Sequence, residues 1–168
     1  MIKFVVHGPF DVPLRNVASR NREGKEIDPN ALSAFWDEVQ LGDKRGCYIF
    51  SNCVARGSKP IYVGKTKNTF KGECFQSHKI NKLGHFFDNA GHVKLQLYLI
   101  VLEGRGQNLV ELNEAENYLI IMAKNVNAQL LNDRKVAHKW AIKDIYGERS
   151  IGQPTANVQL LKKCLKIK

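Results

Sequence analysis

Val93, Leu95, Leu97, Leu99 and Val101 alternate with Lys94, Gln96 and Tyr98. A period of two sends the first set to one side of an extended chain and the second to the other, which predicts a strand with one buried face. Two further β-prone runs, Gly46 to Phe50 and Lys59 to Lys65, flank the turn-forming segment 51–58 and predict a hairpin. Between hairpin and strand the period changes. Phe70, Cys74 and Ser77 recur at helical spacing, while Lys71, Phe75, His78 and Lys79 share another face, which predicts a helix with a cationic stripe. Leu109 to Lys124 is helical again through Leu112, Ala115, Leu119, Met122 and Ala123.

The flanks read less regularly. Ile2 to Val6 and Phe10 to Leu14 around Gly8-Pro9 predict an N-terminal hairpin, and Arg15 to Asn30 is polar and loop-like. Asp28 before Pro29 supplies a cap for a helix through Leu32, Phe35, Trp36 and Val39 that Gly42 ends. Beyond Asn132 the expected elements are a segment from Trp140 to Tyr146, a Gly152-Gln153-Pro154 turn and a short helix burying Val158, Leu161 and Leu165. With 168 residues and no internal repeat or linker, one domain is expected, comprising an N-terminal part (1–43), a core (44–132) and a basic extension (133–168). The four cysteines form no CxxC pair and are expected to be reduced thiols. The N-terminus lacks a signal-peptide pattern and no apolar run would span a bilayer, so a cytoplasmic protein without a membrane partner is expected.

Charge narrows the partner. The 26 Lys and Arg outweigh 16 Asp and Glu, for a net charge of +10. Of those cations, 18 lie in 44–82 and 134–168, which contain 3 of the acids, so the remainder of the chain is slightly acidic. Such an asymmetric basic field suits a surface that tracks phosphates, and nucleic acid is the expected partner. A second signal lies in the last core helix, where Glu116 falls on the apolar stripe, four after Leu112 and three before Leu119. A carboxylate there is costly unless it pairs with a cation such as lysine, snorkels to solvent or coordinates a metal.

The hairpin strands carry Gly46-Cys47-Tyr48 and Tyr62-Val63-Gly64-Lys65, followed by His78 on a helix, a third strand, Glu116 in Ala-Glu-Asn-Tyr-Leu-Ile, and Asn132 after two leucines. In order, spacing and element type, Gly46 to Asn132 resembles the GIY-YIG nuclease superfamily. The resemblance implies an α+β fold, a small three-stranded antiparallel sheet flanked by helices. It further implies metal-dependent endonuclease activity on nucleic acid, most simply DNA, and a transient homodimer if both strands are cut.

In that setting Glu116 would hold one divalent ion, magnesium or manganese. Tyr48 would accept a proton from water, with Lys65, Lys71 or Lys79 lowering its pKa, and Tyr62 would orient water or phosphate. His78 would assist proton transfer or bind the scissile phosphate, Lys65 and Lys67 would meet substrate, and Asn132 would brace the site. The residues alone admit plainer roles: sheet aromatics for the tyrosines, a surface position for His78, a cap or turn for Asn132. Where the family carries an arginine, this chain has Lys71-Gly72-Glu73-Cys74, so any grip on phosphate falls to lysine, a point charge and not a fork. A nucleic-acid-binding module of the same fold without turnover is the alternative.

Overall fold

The computed structural model describes residues 3–19, 22–55, 57–90, 93–104, 109–132 and 155–166. Its elements are β1 (Lys3–Asp11), β2 (Leu14–Ser19), β3 (Arg22–Ile27), a 3-10 turn (Pro29–Ala31), α1 (Leu32–Val39), β4 (Gly46–Val54), β5 (Gly57–Thr66), α2 (Phe70–Glu73), α3 (Ser77–Asn89), β6 (Leu95–Glu103), α4 (Leu109–Val126) and α5 (Ala156–Leu165). The fold is α+β. The main sheet has four strands, not three, in the order β1-β6-β4-β5, and every neighbouring pair is antiparallel.

The fourth strand comes from the segment expected to form a hairpin. Lys3 to Asp11 runs on as one strand along β6, and Gly8-Pro9 forms an irregularity at which the register shifts between His7 and Phe10. Gly8 has φ +94°, and a Cβ there would lie 2.7 Å from the Leu97 carbonyl, so the chain needs glycine to stay against β6. The actual N-terminal hairpin is β2–β3, formed by residues whose polarity predicted a loop. Cross-strand pairing satisfies the backbone of these residues, while Arg15 and Glu26 form an exposed ion pair and Asn16 and Lys25 stay at the surface.

Three other boundaries differ from expectation. Asp28 caps the 3-10 turn by accepting from the Asn30 amide, as expected, but α1 ends on Gln40 in the left-handed region and not on Gly42. The hairpin strands run on to Val54 and Gly57, so most of the connector belongs to the strands. The helix expected from Phe70 breaks at 74–76 into α2 and α3. The break ends the cationic stripe: Lys71 is exposed, whereas Lys79 is 3% exposed and turned inward.

The expectation of one buried face for β6 is corrected: helices pack on both sides of the sheet, and Tyr98 and Ile100 are buried like Leu97 and Leu99. One core joins Cys47, Ile49, Val63, Tyr98 and Ile100 to Leu112, Ala115 and Leu119 of α4 and to Val158, Leu161 and Cys164 of α5. The other joins Tyr48, Phe50, Ile61, Leu97 and Leu99 to Phe35 and Trp36 of α1, Phe70 of α2 and Leu83 and Phe87 of α3. All four cysteines are unbridged, and among the described residues no helix is long and apolar enough to cross a membrane. The segments expected at 140–146 and 152–154, with the basic residues between Arg134 and Arg149, lie outside the described residues.

Candidate active site at the β5 edge

Cross-strand pairing aligns Tyr48 with Gly64 and Phe50 with Tyr62. Tyr48 and Tyr62 are therefore diagonal neighbours on one face of the sheet, with ring centroids 6.3 Å apart. Both motif glycines have a steric reason. A Cβ on Gly46, at φ +152°, would lie 2.0 Å from the Ile100 carbonyl oxygen. A Cβ on Gly64 would lie 2.3 Å from Cζ of Tyr48 and 2.4 Å from its hydroxyl, so the Tyr48 ring rests across the bare backbone of β5. Phe50 and Phe70 meet that ring edge-on.

The resulting seat is closed. Tyr48 is fully buried, and its hydroxyl has no hydrogen-bond partner among the described residues. Tyr62 is partly exposed. Burial, then the neighbouring Cys74, Tyr62, Glu73 and Glu116, push the Tyr48 phenol far above its ordinary range. Burial and then the Glu116 and Glu73 carboxylates push Tyr62 up as well, opposed in part by the neighbouring Tyr48. The expectation that lysines lower the Tyr48 pKa is therefore overturned: desolvation dominates, and the cations are committed elsewhere.

Lys79 shows how. Its ammonium lies 5.7 Å from the centre of the Tyr48 ring, a cation–π arrangement. It also donates to the Glu73 carbonyl at 2.7 Å, to Gln76 Oε1 at 3.4 Å and to the Glu73 carboxylate. The Glu73 carboxylate neutralises it, and these bonds tie the 74–76 break to the tyrosine. Glu73 is thus a lysine's partner. Lys71 packs beside Gly42, and Lys67, Lys71 and His78 are exposed; none of them hydrogen-bonds or ion-pairs with the tyrosines or Glu116 among the described residues.

Glu116 approaches from the other face. Strand alternation puts Cys47 and Lys65, which are register partners, opposite to Tyr48 and Tyr62, and α4 packs on that side of β5. Glu116 accepts from Lys65 Nζ at 2.5 Å, with side-chain exposures of 11% and 27% for Glu116 and Lys65. The lysine partnership weighed from sequence is thus the one found. Tyr48 and Glu116 do not line one open cleft; they meet electrostatically around the β5 edge, where the carboxylate raises both phenols and the Cys47 thiol.

Asn132 seals that edge. Its Oδ1 accepts from the Val63 amide at 2.9 Å and its Nδ2 donates to the Val63 carbonyl at 2.7 Å, so one side chain pairs with β5 as an adjoining strand would. Leu131 donates its amide to the Ile61 carbonyl at 2.8 Å, and Asn127 Nδ2 donates to the Pro60 carbonyl at 2.7 Å. Val63 lies between Tyr62 and Gly64, so Asn132 fixes the strand that carries one tyrosine and seats the other. Sequence reading missed Gly64 as that seat; the signal was a glycine inside a strand directly across the hairpin from Tyr48.

The donors near this edge are a carboxylate and phenol oxygens, hard ligands of the type magnesium and manganese prefer. Among the described residues no three His, Cys, Asp or Glu side chains gather as a ligand cluster. Of these groups only Glu116 is a charged donor, and Lys65 holds it, so a divalent ion would have to share that one carboxylate with an ammonium and take the rest of its shell from water and substrate. Comparison of the chain with family models, curated proteins and solved structures finds no match.

Proposed function

We propose that this protein is a metal-dependent endonuclease that hydrolyses phosphodiester bonds in DNA at the β5 edge. The observation that supports the reading is that β5 carries Tyr62 and Lys65 and is met by Tyr48 on one face, Glu116 on the other and Asn132 along its edge, in the chain order of the GIY-YIG resemblance. Glu116 would hold magnesium or manganese. When bound, such an ion supplies hydroxide at neutral pH and offsets phosphate charge.

The chain's own groups do the rest. Tyr62, the partly exposed phenol, would orient the water that must lose a proton, and the Tyr48 ring packs behind it. Lys65 is the cation nearest the carboxylate and the natural first contact for a phosphate, with Lys67 beyond it. His78, on the surface of α3, is an accessory proton donor in this reading. Asn132 keeps the strand in register and is a positioning residue. Cutting both strands would recruit a second copy transiently.

A second reading is favoured by the sealed Tyr48 hydroxyl and by the ammonium on Glu116: a nucleic-acid-binding module without turnover. Nicking of supercoiled plasmid with magnesium or manganese separates the two. Wild type nicks, and Glu116→Gln and Tyr48→Phe reduce nicking at least about a hundredfold under the first reading. Salt-sensitive DNA binding with no cleavage in any metal supports the second.

A further inference from the structure

We propose that the corner where residues 42–45 meet residues 66–71 is a docking surface for the phosphate backbone of duplex nucleic acid, with Lys44, Arg45, Lys67 and Lys71 as its contacts. The inference rests on nucleic acid being the partner, and it adds where the duplex beyond the β5 edge is held.

The turn after α1 and the segment after β5 are joined through their backbones. Phe70 donates its amide to the Lys44 carbonyl at 2.8 Å, and Lys71 donates to the Gly42 carbonyl at 2.9 Å. Within the second segment Asn68 donates its amide to Thr66 Oγ1 and Gly72 to Thr69 Oγ1, each at 3.1 Å. Gly46 pairs with Thr66, so Arg45 and Lys67 leave the sheet at the same end, the end of β5 that carries Lys65. Cations from two separate parts of the chain are thus gathered on one corner whose backbone is set before any ligand arrives.

Their charge is unmatched. Lys3, Arg15 and Lys94 each face a carboxylate, whereas among the described residues Lys44, Arg45, Lys67 and Lys71 have no ion-pair partner. Asp43 is the one acid in the two segments; Glu73 is held by Lys79, and Asp37 and Glu38 belong to α1. The three lysines are exposed and Arg45 is partly so, which leaves like charges that a polyanion relieves. The absence of exposed apolar side chains in these segments, where Phe70 is fully buried, selects among polyanions. A protein interface has an apolar centre; a phosphate backbone requires none. The corner also accounts for Lys71, which the sequence put among the catalytic groups and which makes no bond to the tyrosines or Glu116.

Fluorescence anisotropy of a labelled DNA duplex, in chelator and between about 50 and 200 mM salt, tests this. Two variants each lose four charges. One carries Lys44→Gln, Arg45→Gln, Lys67→Gln and Lys71→Gln; the control carries Lys25→Gln, Lys59→Gln, Lys163→Gln and Lys166→Gln, all exposed lysines elsewhere. Circular dichroism verifies folding, and the four single variants replace a corner variant that does not fold. The corner variant is expected to bind at least about tenfold more weakly at the lowest salt, and its slope of log affinity against log salt to shrink by about 0.9 for each cation that meets a phosphate. The control should lose less than about threefold.

Equal losses in the two variants, an unchanged slope in the corner variant, or no duplex binding by wild type overturns the proposal. Displacement of the labelled duplex by polyglutamate as readily as by unlabelled duplex also overturns it, in favour of an acidic protein. Plasmid nicking that Glu116→Gln abolishes leaves the nuclease reading standing if the two variants prove equal. Corner-dependent binding without any nicking supports the proposal and overturns turnover instead.

Discussion

The two faces of the main sheet treat polar groups in opposite ways. Beneath α1 to α3, the tyrosine at 48 is a core residue: Phe50 and Phe70 meet it edge-on, the Gly64 backbone carries it, and no water reaches its hydroxyl. Beneath α4 and α5 the core is largely aliphatic around Tyr98, and Glu116, the buried acid of this side among the described residues, sits at the margin where the edge strand supplies Lys65. The first face closes aromatic rings over the Tyr48 hydroxyl; the second keeps a charge near solvent and neutralises it. The proposed site exists only where the faces meet, around β5, so whatever disturbs that strand should disturb both.

The sharpest break should come from Gly46→Ala. A Cβ 2.0 Å from a backbone carbonyl has no flexible neighbour to displace, and the expected loss is about 3 kcal/mol or more in chemical denaturation. Gly64→Ala pushes against a ring instead and should cost about 1–3 kcal/mol, with near-ultraviolet dichroism changing as Tyr48 shifts. Asn132→Ala leaves both Val63 backbone groups without their partner and should cost about 2 kcal/mol, with faster amide exchange at Val63.

A change of sign distinguishes the faces further. Tyr48→Phe removes an enclosed, unpartnered hydroxyl and should raise stability by about 1 kcal/mol while lowering nicking. A loss of stability would mean that the hydroxyl has a partner after all. The smallest effect is alkaline. Burial holds the Cys47, Cys74 and Tyr48 protons above their ordinary values of 9.0, 9.0 and 10.0. The unfolded chain thus releases these protons first, so the stability they confer is complete below about pH 9 and falls as pH rises beyond it. Thermal melts from pH 7 to 10.5 should be flat and then decline.

How far the sequence carried depended on whether a residue's partner was local. The β4–β5 hairpin, the strand from Leu95 and the helix bearing Glu116 were legible because periodicity and turn residues speak for themselves. Gly8-Pro9 misled because a turn and a bulge use the same residues, and the outcome depends on β6, almost ninety positions away. Arg15 to Asn30 misled because two strands can pair through their backbones while their polar side chains stay in water. Lys79 looked like a surface cation; its burial follows from Glu73 across a helix break that periodicity does not register. Tyr48 and Glu116 were both singled out, but strand alternation puts them on opposite faces, and the Gly64 seat is a contact between strands that no single segment displays.

The central claim is that groups from the two faces act on one phosphodiester. A double-mutant cycle on single-turnover plasmid nicking, with Tyr62→Phe, Glu116→Gln and the pair, tests it most directly. The account predicts that each single change costs at least about a hundredfold and that the double variant is little worse than either one. Full wild-type nicking in either single variant, or losses that simply multiply, would contradict it.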